Sequence, residues 1–223
     1  MRKSLLIFIF FLLGAQPSFA DDDLRYFSGY EIEKKVNDKL KIFLNPEARF
    51  DDDISRLFYY HVRLGLTYKL AKYFQAGLTY RFANDKKSRT NGTTYWNHEN
   101  RLELDLAPSC VIGQDWKLTD RVRFEYRNFE IGRIQWRLRN LVKISFGEFS
   151  IADFNFSPYV SNETYHPMNS GKFNKDWLTF GLVKKWTDNF STDIYYRIET
   201  KRVSSKDEWD TAHIIGTKCK FSF

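Results

Sequence analysis

The residues with chemistry to offer in this chain are guanidinium and carboxylate groups set two positions apart. Arg101, Glu103 and Asp105 stand at alternate positions, and Arg121, Arg123, Glu125 and Arg127 repeat the pattern further along. Glu47 and Arg49, Arg63, Arg81, Glu99, Arg137 and Arg139, Glu163 and Arg197 carry it over the rest of the sequence. A spacing of two puts side chains on one face of an extended strand, so these groups would form one charged wall. Such a wall has two uses. Opposed charges hold neighbouring strands together by roughly 0.2–1 kcal/mol per pair. A ring of fixed charges inside a pore selects ions. Arginine is in surplus where Arg121, Arg123, Arg127, Arg133, Arg137 and Arg139 meet only Glu125 and Glu130, so an open pore would prefer anions. The structural alternative, an Arg/Glu network that fills a narrow interior and stiffens it, needs no solute at all.

Nucleophilic catalysis asks for a nucleophile, a base and an orienting acid in contact. His98 beside Trp96 falls on the apolar side, where Ser88, Ser170 and Glu163 are the groups that could approach it. No short motif links them, so no catalytic residue is expected, although a lipid-modifying activity stays open as an alternative. His61 would be an inward hydrogen-bonding residue, His166 a loop residue and His213 would stand near the start of the last strand. Metal-ligand spacing, phosphate-binding glycine loops and nucleotide motifs are missing, and no cofactor is expected.

The charged wall requires long strands, and period-two alternation runs from Leu24 to Phe223. Tyr60, Val62, Leu64, Leu66 and Tyr68 oppose His61, Arg63, Gly65, Thr67 and Lys69. Leu102, Leu104 and Leu106 oppose Arg101, Glu103 and Asp105, and Val122, Phe124 and Tyr126 oppose the arginines around Glu125. One face is apolar and the other charged almost throughout. Tight turns at Val36-Asn37-Asp38, Ala71-Lys72, Gly113-Gln114-Asp115 and Thr187-Asp188-Asn189 alternate with longer polar loops at 83–95, 165–176 and 201–210. That asymmetry fits the periplasmic turns and extracellular loops of a closed antiparallel transmembrane β-barrel. Eleven strands can be read, while such barrels usually have an even number. The expectation is therefore about ten or twelve, with 24–35 hiding two short strands or lying outside the wall.

Aromatic residues make up 18% and charged residues 28% of the chain, a mixture that suits a lipid-facing exterior around a polar interior. Tyr68, Tyr80, Trp96, Trp136 and Trp186 sit near strand ends, as interfacial girdles do. Phe223 closes the chain with Phe221 on the same face, a pairing that serves as an assembly signal for outer-membrane barrels. A soluble lipocalin-like barrel shows the same period with the faces reversed.

The N-terminus adds a secretory signal: basic Arg2 and Lys3, the apolar run Leu5–Leu13, then Ser18-Phe19-Ala20. Cleavage after Ala20 gives a signal peptide, 1–20, and a single barrel domain, 21–223. Loss of Arg2 and Lys3 lowers the formal charge from +7 to +5, too small an excess in an exported chain to imply nucleic acid. Cys110 and Cys219 fall on strands that are not neighbours and are expected to be free thiols.

Several short pieces in order carry a family resemblance. They are Glu47-x-Arg49, Gly65-Leu66-x-Tyr68-x-Leu70, Gly77-x-x-Tyr80-Arg81-Phe82 and Glu99-x-Arg101, followed by Arg121-x-Arg123-x-Glu125-x-Arg127 and Arg137-x-Arg139. Pro158-Tyr159-x-x-Asn162-Glu163, Gly181-Leu182 and Tyr195-Tyr196-Arg197 complete the set before Phe223. With them the chain resembles an uncharacterised family of small Gram-negative outer-membrane β-barrels, domain of unknown function 2490. The resemblance implies a barrel in the outer membrane and no particular activity. The partners expected are outer-membrane lipid, the barrel assembly machinery during insertion and a small anionic solute.

One hairpin gives a testable register. Folding symmetrically about Gly113 would set Asp105 against Arg121, Glu103 against Arg123, Arg101 against Glu125 and Glu99 against Arg127, each pair of opposite sign. A bulge at Pro108 would shift that register.

Overall fold

The structure is a computed structural model and describes residues 24–223 apart from 90, 153, 170, 171 and 204–207. The signal segment and its cut after Ala20 lie outside the described residues. Twelve strands form, in order β1 (Leu24–Lys35), β2 (Leu40–Asp51), β3 (Arg56–Ala71), β4 (Phe74–Ser88), β5 (Thr94–Ile112) and β6 (Trp116–Phe129). β7 (Gln135–Ser145), β8 (Phe149–Ile151), β9 (Phe154–Pro167), β10 (Lys175–Lys185), β11 (Phe190–Val203) and β12 (Glu208–Ser222) follow.

Eleven of these close a barrel. β7 pairs directly with β9, and β8 is a three-residue strand folded back on β9 alone. The wall is antiparallel except at its seam, where β1 runs parallel to β12 from Leu24 opposite His213 to Glu33 opposite Ser222. An odd wall requires such a seam, because its first and last strands point the same way. The segment 24–35 is therefore one continuous strand inside the wall, not two short strands or an outlying piece. Its polar stretch, Glu31 to Lys35, is held by ion pairs: Glu31 meets Lys218 and Lys220, and Lys220 also lies 3.0 Å from Glu33.

The tight turns after β1, β3, β5 and β10 share one end of the barrel with the C-terminus, called the turn end below. Gly113 opens the β5–β6 turn with φ +66°, a left-handed conformation natural to glycine. At the opposite, loop end the strands run further than the polarity of the sequence suggests. β4 continues to Ser88, β9 to Pro167 and β11 to Val203, so the ladder persists after the apolar exterior stops. His166 consequently belongs to β9, opposite Leu138, and not to a loop.

Leu64, Leu66, Leu78, Leu102, Leu104, Val142 and Ile194 are among the large apolar side chains exposed on the outside. Inside, Arg123, Glu103, Glu125, Tyr165, Phe27 and Thr79 are almost fully enclosed. Cys110 and Cys219 are free thiols on β5 and β12.

Candidate functional site

The charged positions singled out in the sequence line the interior, but the pairing differs from a simple ladder. The β5–β6 turn closes on Ile112 opposite Trp116, so its centre is Gln114 and not Gly113. Asp105 then faces Arg123, while Glu103 faces Glu125 and Arg101 faces Arg127. The pairs on either side of Pro108, Leu106–Val122 and Ser109–Thr119, share this register, so no bulge interrupts it. Two like-charged pairs are tolerated because long side chains reach diagonally along the sheet. Arg127 clasps Glu99 with bonds of 2.7 and 3.0 Å, Arg101 lies 3.3 Å from Glu125, and Arg123 lies 3.0 Å from Glu103. Three of the four anticipated contacts thus exist at a different register. The fourth does not: Arg121 turns to Glu163 at 2.6 Å, and Asp105 takes both of its bonds from Arg123.

Glu99, Glu103, Glu125 and Glu163 are each shared between two or more arginines. Glu125 receives Arg101, Arg137 and Arg139, the last two at 2.6 and 2.9 Å. Glu103 lies among Arg63, Arg81 and Arg123 at 3.1, 2.8 and 3.0 Å. Its contacts are ion pairs without well-directed hydrogen bonds, since neither Glu103 oxygen receives an aligned N–H. Glu99 bridges Arg101 and Arg127, and Glu163 bridges Arg121 and Arg139. Removing charges from water costs several kcal/mol per ion, which only such multiple partners offset. Glu47 binds Arg49 at 2.6 Å, while Arg197 donates to Thr179 and stacks 4.2 Å over the Trp177 ring.

The sequence did not single out a second interior set, made of aromatic rings. Phe27, Tyr159, Tyr165, Trp177, Tyr195 and Ile214 form a buried cluster. Arg49 lies 4.5 Å from both the Phe27 and Tyr59 rings, and Lys175 lies 4.7 Å from Trp177. Glu199 gathers Arg25, Lys175 and the Trp177 indole N–H. Tyr195 and Glu199 share the parity of Arg197, which was the available signal.

Together these groups fill the barrel. Each wall strand sends at least one enclosed side chain inward, in strand order Phe27, Asn45, His61, Thr79, Glu103, Arg123, Arg139, Ser161, Thr179, Tyr195 and Ile214. His61 points inward as expected, yet neither ring nitrogen meets a hydrogen-bond partner, and Glu47 is 3.9 Å away. Above this layer, at the loop end, a cavity of about 300 Å³ opens. Arg25, Arg49, Arg127, Arg137, Lys175 and Lys201 are among its cations, against the carboxylates Asp51, Asp85 and Glu199. Phe58, Tyr59 and Tyr165 complete its wall.

His98 sits on the outside, its ring stacked on Phe82, with one nitrogen against Asn84 and the other 3.6 Å from Glu130. His213, the sixth residue of β12, meets the Tyr196 hydroxyl. Among the described residues no group of three His, Cys, Asp or Glu is arranged to hold a metal ion.

Comparisons with known proteins give one family. A family model described as a protein of unknown function (DUF2490) matches residues 24–210. No curated protein sequence matches the chain. Among solved structures, one described as a KdgM porin aligns with a TM-score of 0.47 and 11% sequence identity, over 90% of this chain and 99% of the other.

Proposed function

The chain belongs to the family of proteins of unknown function DUF2490, and from that premise we propose that it is an outer-membrane barrel, plugged at mid-height, that captures small anions in its outer vestibule. The observation that carries this reading is the enclosed layer beneath the vestibule, to which all eleven wall strands contribute. A continuous channel would leave some of those side chains in contact with water. The membrane location is supported by the apolar exterior, with Trp116, Trp136, Trp186 and Phe223 exposed towards strand ends. The two terminal aromatics fit a role in assembly, since Phe221 stacks on Phe190 at 5.0 Å and Phe223 lies at the outer foot of the seam.

Anion capture follows from charge. The vestibule holds many more cationic side chains than carboxylates, and several of those cations already share a carboxylate with a neighbour. In a cleft with low-dielectric walls such an excess is screened less than at an open surface and draws counter-ions.

Two measurements test the proposal. Purified protein inserted into a planar bilayer, with insertion verified by heat-modifiable migration, should give no sustained conductance. Citrate, used as a compact trianion, should bind with an affinity that falls steeply as salt rises, and Lys175→Glu with Arg25→Glu should weaken it at least tenfold. Sustained conductance would replace the plugged barrel with a channel, whose arginine surplus would then make it anion-selective. Salt-independent or missing citrate binding would remove the vestibule as a site.

A further inference from the structure

The outward faces of the two sides of the barrel differ. On β3, β4 and β5 the outward residues Val62, Leu64, Leu66, Leu78, Leu102 and Leu104 are exposed and apolar. On β6, β7, β9 and β10 the same face carries Asp120, Asn140, Asn162, Thr164 and Asp176. Asn140 lies midway along β7, between outward Leu138 and Val142, opposite Thr164 on β9 and Val122 on β6. Asn162 lies opposite Val142 on one side and Leu178 on the other. These amides are therefore far from either end of the strands, flanked by residues of the apolar belt.

Their hydrogen bonds are half complete. Asn140 Nδ2 donates to Asp120 Oδ1 at 2.6 Å, and Asn162 Nδ2 donates to both oxygens of Asp176 at 2.9 Å. Among the described residues nothing donates to Asp120 Oδ2, Asn140 Oδ1 or Asn162 Oδ1. An amide has two N–H donors and a carbonyl acceptor, and unmet groups in hydrocarbon are costly.

We infer that this face docks a second copy of the same chain in the membrane, across a two-fold axis normal to the bilayer. The inference rests on the outer-membrane reading above. Acyl chains offer no hydrogen-bonding groups, and lipid headgroups lie at the strand ends. The patch itself carries both donors and acceptors, so a two-fold rotation brings the donors of one copy onto the acceptors of the other. A second copy inserted the same way also presents its amides at the same depth, a match that another partner would have to evolve separately. Polar side chains at apolar mid-depth serve as contacts of this kind between membrane-spanning segments.

The test is the mass of the detergent-solubilised full chain by sedimentation. The wild type should sediment as two chains, and Asn140→Leu with Asn162→Leu should sediment as one while keeping heat-modifiable migration. Since that variant could also assemble badly, a second measurement uses membranes directly. In a background of Cys110→Ser and Cys219→Ser, Val142→Cys should form a disulfide-linked dimer on oxidation, and Leu64→Cys on the opposite side should not. A carbonate-resistant wild type of any mass other than two chains overturns this proposal alone, as does a dimer unaffected by the double substitution or equal cross-linking from both positions. A wild type washed from membranes by alkaline carbonate overturns the membrane reading and this proposal together.

Discussion

The barrel is filled by two different methods on its two sides. Across β3 to β7 the interior is ionic, with Glu99, Glu103 and Glu125 each held by two or more arginines. Across β9 to β12 it is aromatic, and the rings sit over glycines. Tyr159 lies directly opposite Gly181, and Tyr195 lies between Gly181 and Gly216. A Cβ on Gly216 would fall 2.1 Å from Tyr195 Cζ, and one on Gly181 would fall 2.3 Å from Tyr159 Cζ. Long flexible arginines fill a narrow lumen by meeting diagonally across it and need charge partners to stay there. Rigid rings fill it by lying flat along the wall, and they need strand positions with no side chain. The first side should therefore fail by loss of partners and the second by gain of volume.

The largest effect is expected on the ionic side. If its charges worked as isolated opposed pairs, Glu103→Arg would be destabilising and Arg123→Glu would rescue it. In the structure Glu103 also lies against Arg63 and Arg81, so the exchanged arginine would still face two others. Glu103→Arg should cost about 3–5 kcal/mol, the scale for breaking a buried ion pair, and the exchange should restore little of it. Urea unfolding of the reconstituted protein gives both numbers. Full rescue would show that pairs, not a shared network, hold this side.

A smaller effect is expected on the aromatic side. Gly216→Ala or Gly181→Ala should cost about 1–3 kcal/mol, as overpacking does. Gly29→Ala offers a matched control on the same interior face, because the added Cβ would meet nothing closer than 3.8 Å. Combining Gly216→Ala with Tyr195→Ser should cost less than the two changes summed, since the serine removes the obstructing ring. Equal losses at Gly29 and Gly216 would mean that backbone freedom, not ring packing, requires glycine there.

These two sides were unequally legible in the sequence. Alternation marked out the long strands and the inward position of the Arg and Glu residues named for the charged wall, because a period of two is independent of pairing. It could not identify the partners, because a move of the turn centre from Gly113 to Gln114 shifts the register by two and leaves the faces unchanged. Glu103 and Arg123 still meet after that shift, whereas Asp105 and Arg121 do not. Eleven strands could be counted, but the parallel seam that lets an odd wall close was hidden, because Leu24–Lys35 alternates normally and only its neighbour, β12, reveals the pairing. Aromatic residues on the inward face were the weakest signal of all. Tyr159, Trp177 and Tyr195 have the right parity for the interior, but rings at such positions look the same as girdle residues until the facing glycines are paired with them.

The smallest effect should come from the Phe223 ring at the foot of the seam, outside both fillings. Phe223 is 66% exposed, so its ring adds little packing. Its backbone does more, donating from its N–H to Glu33 O at 2.9 Å and accepting from the Lys35 N–H at 2.8 Å. Phe223→Ala keeps both bonds, and unfolding of the reconstituted protein should change by no more than about 0.5 kcal/mol, as at other exposed sites. Deleting Phe223 removes both, at a net cost of about 0.5–1.5 kcal/mol for each bond. If the ring is also an assembly signal, Phe223→Ala should lower the fraction inserted in cells while leaving the stability of the inserted barrel unchanged. Heat-modifiable migration measures the first and urea unfolding the second. An equal loss in both would place the ring in the folded seam itself and end its separate role in assembly.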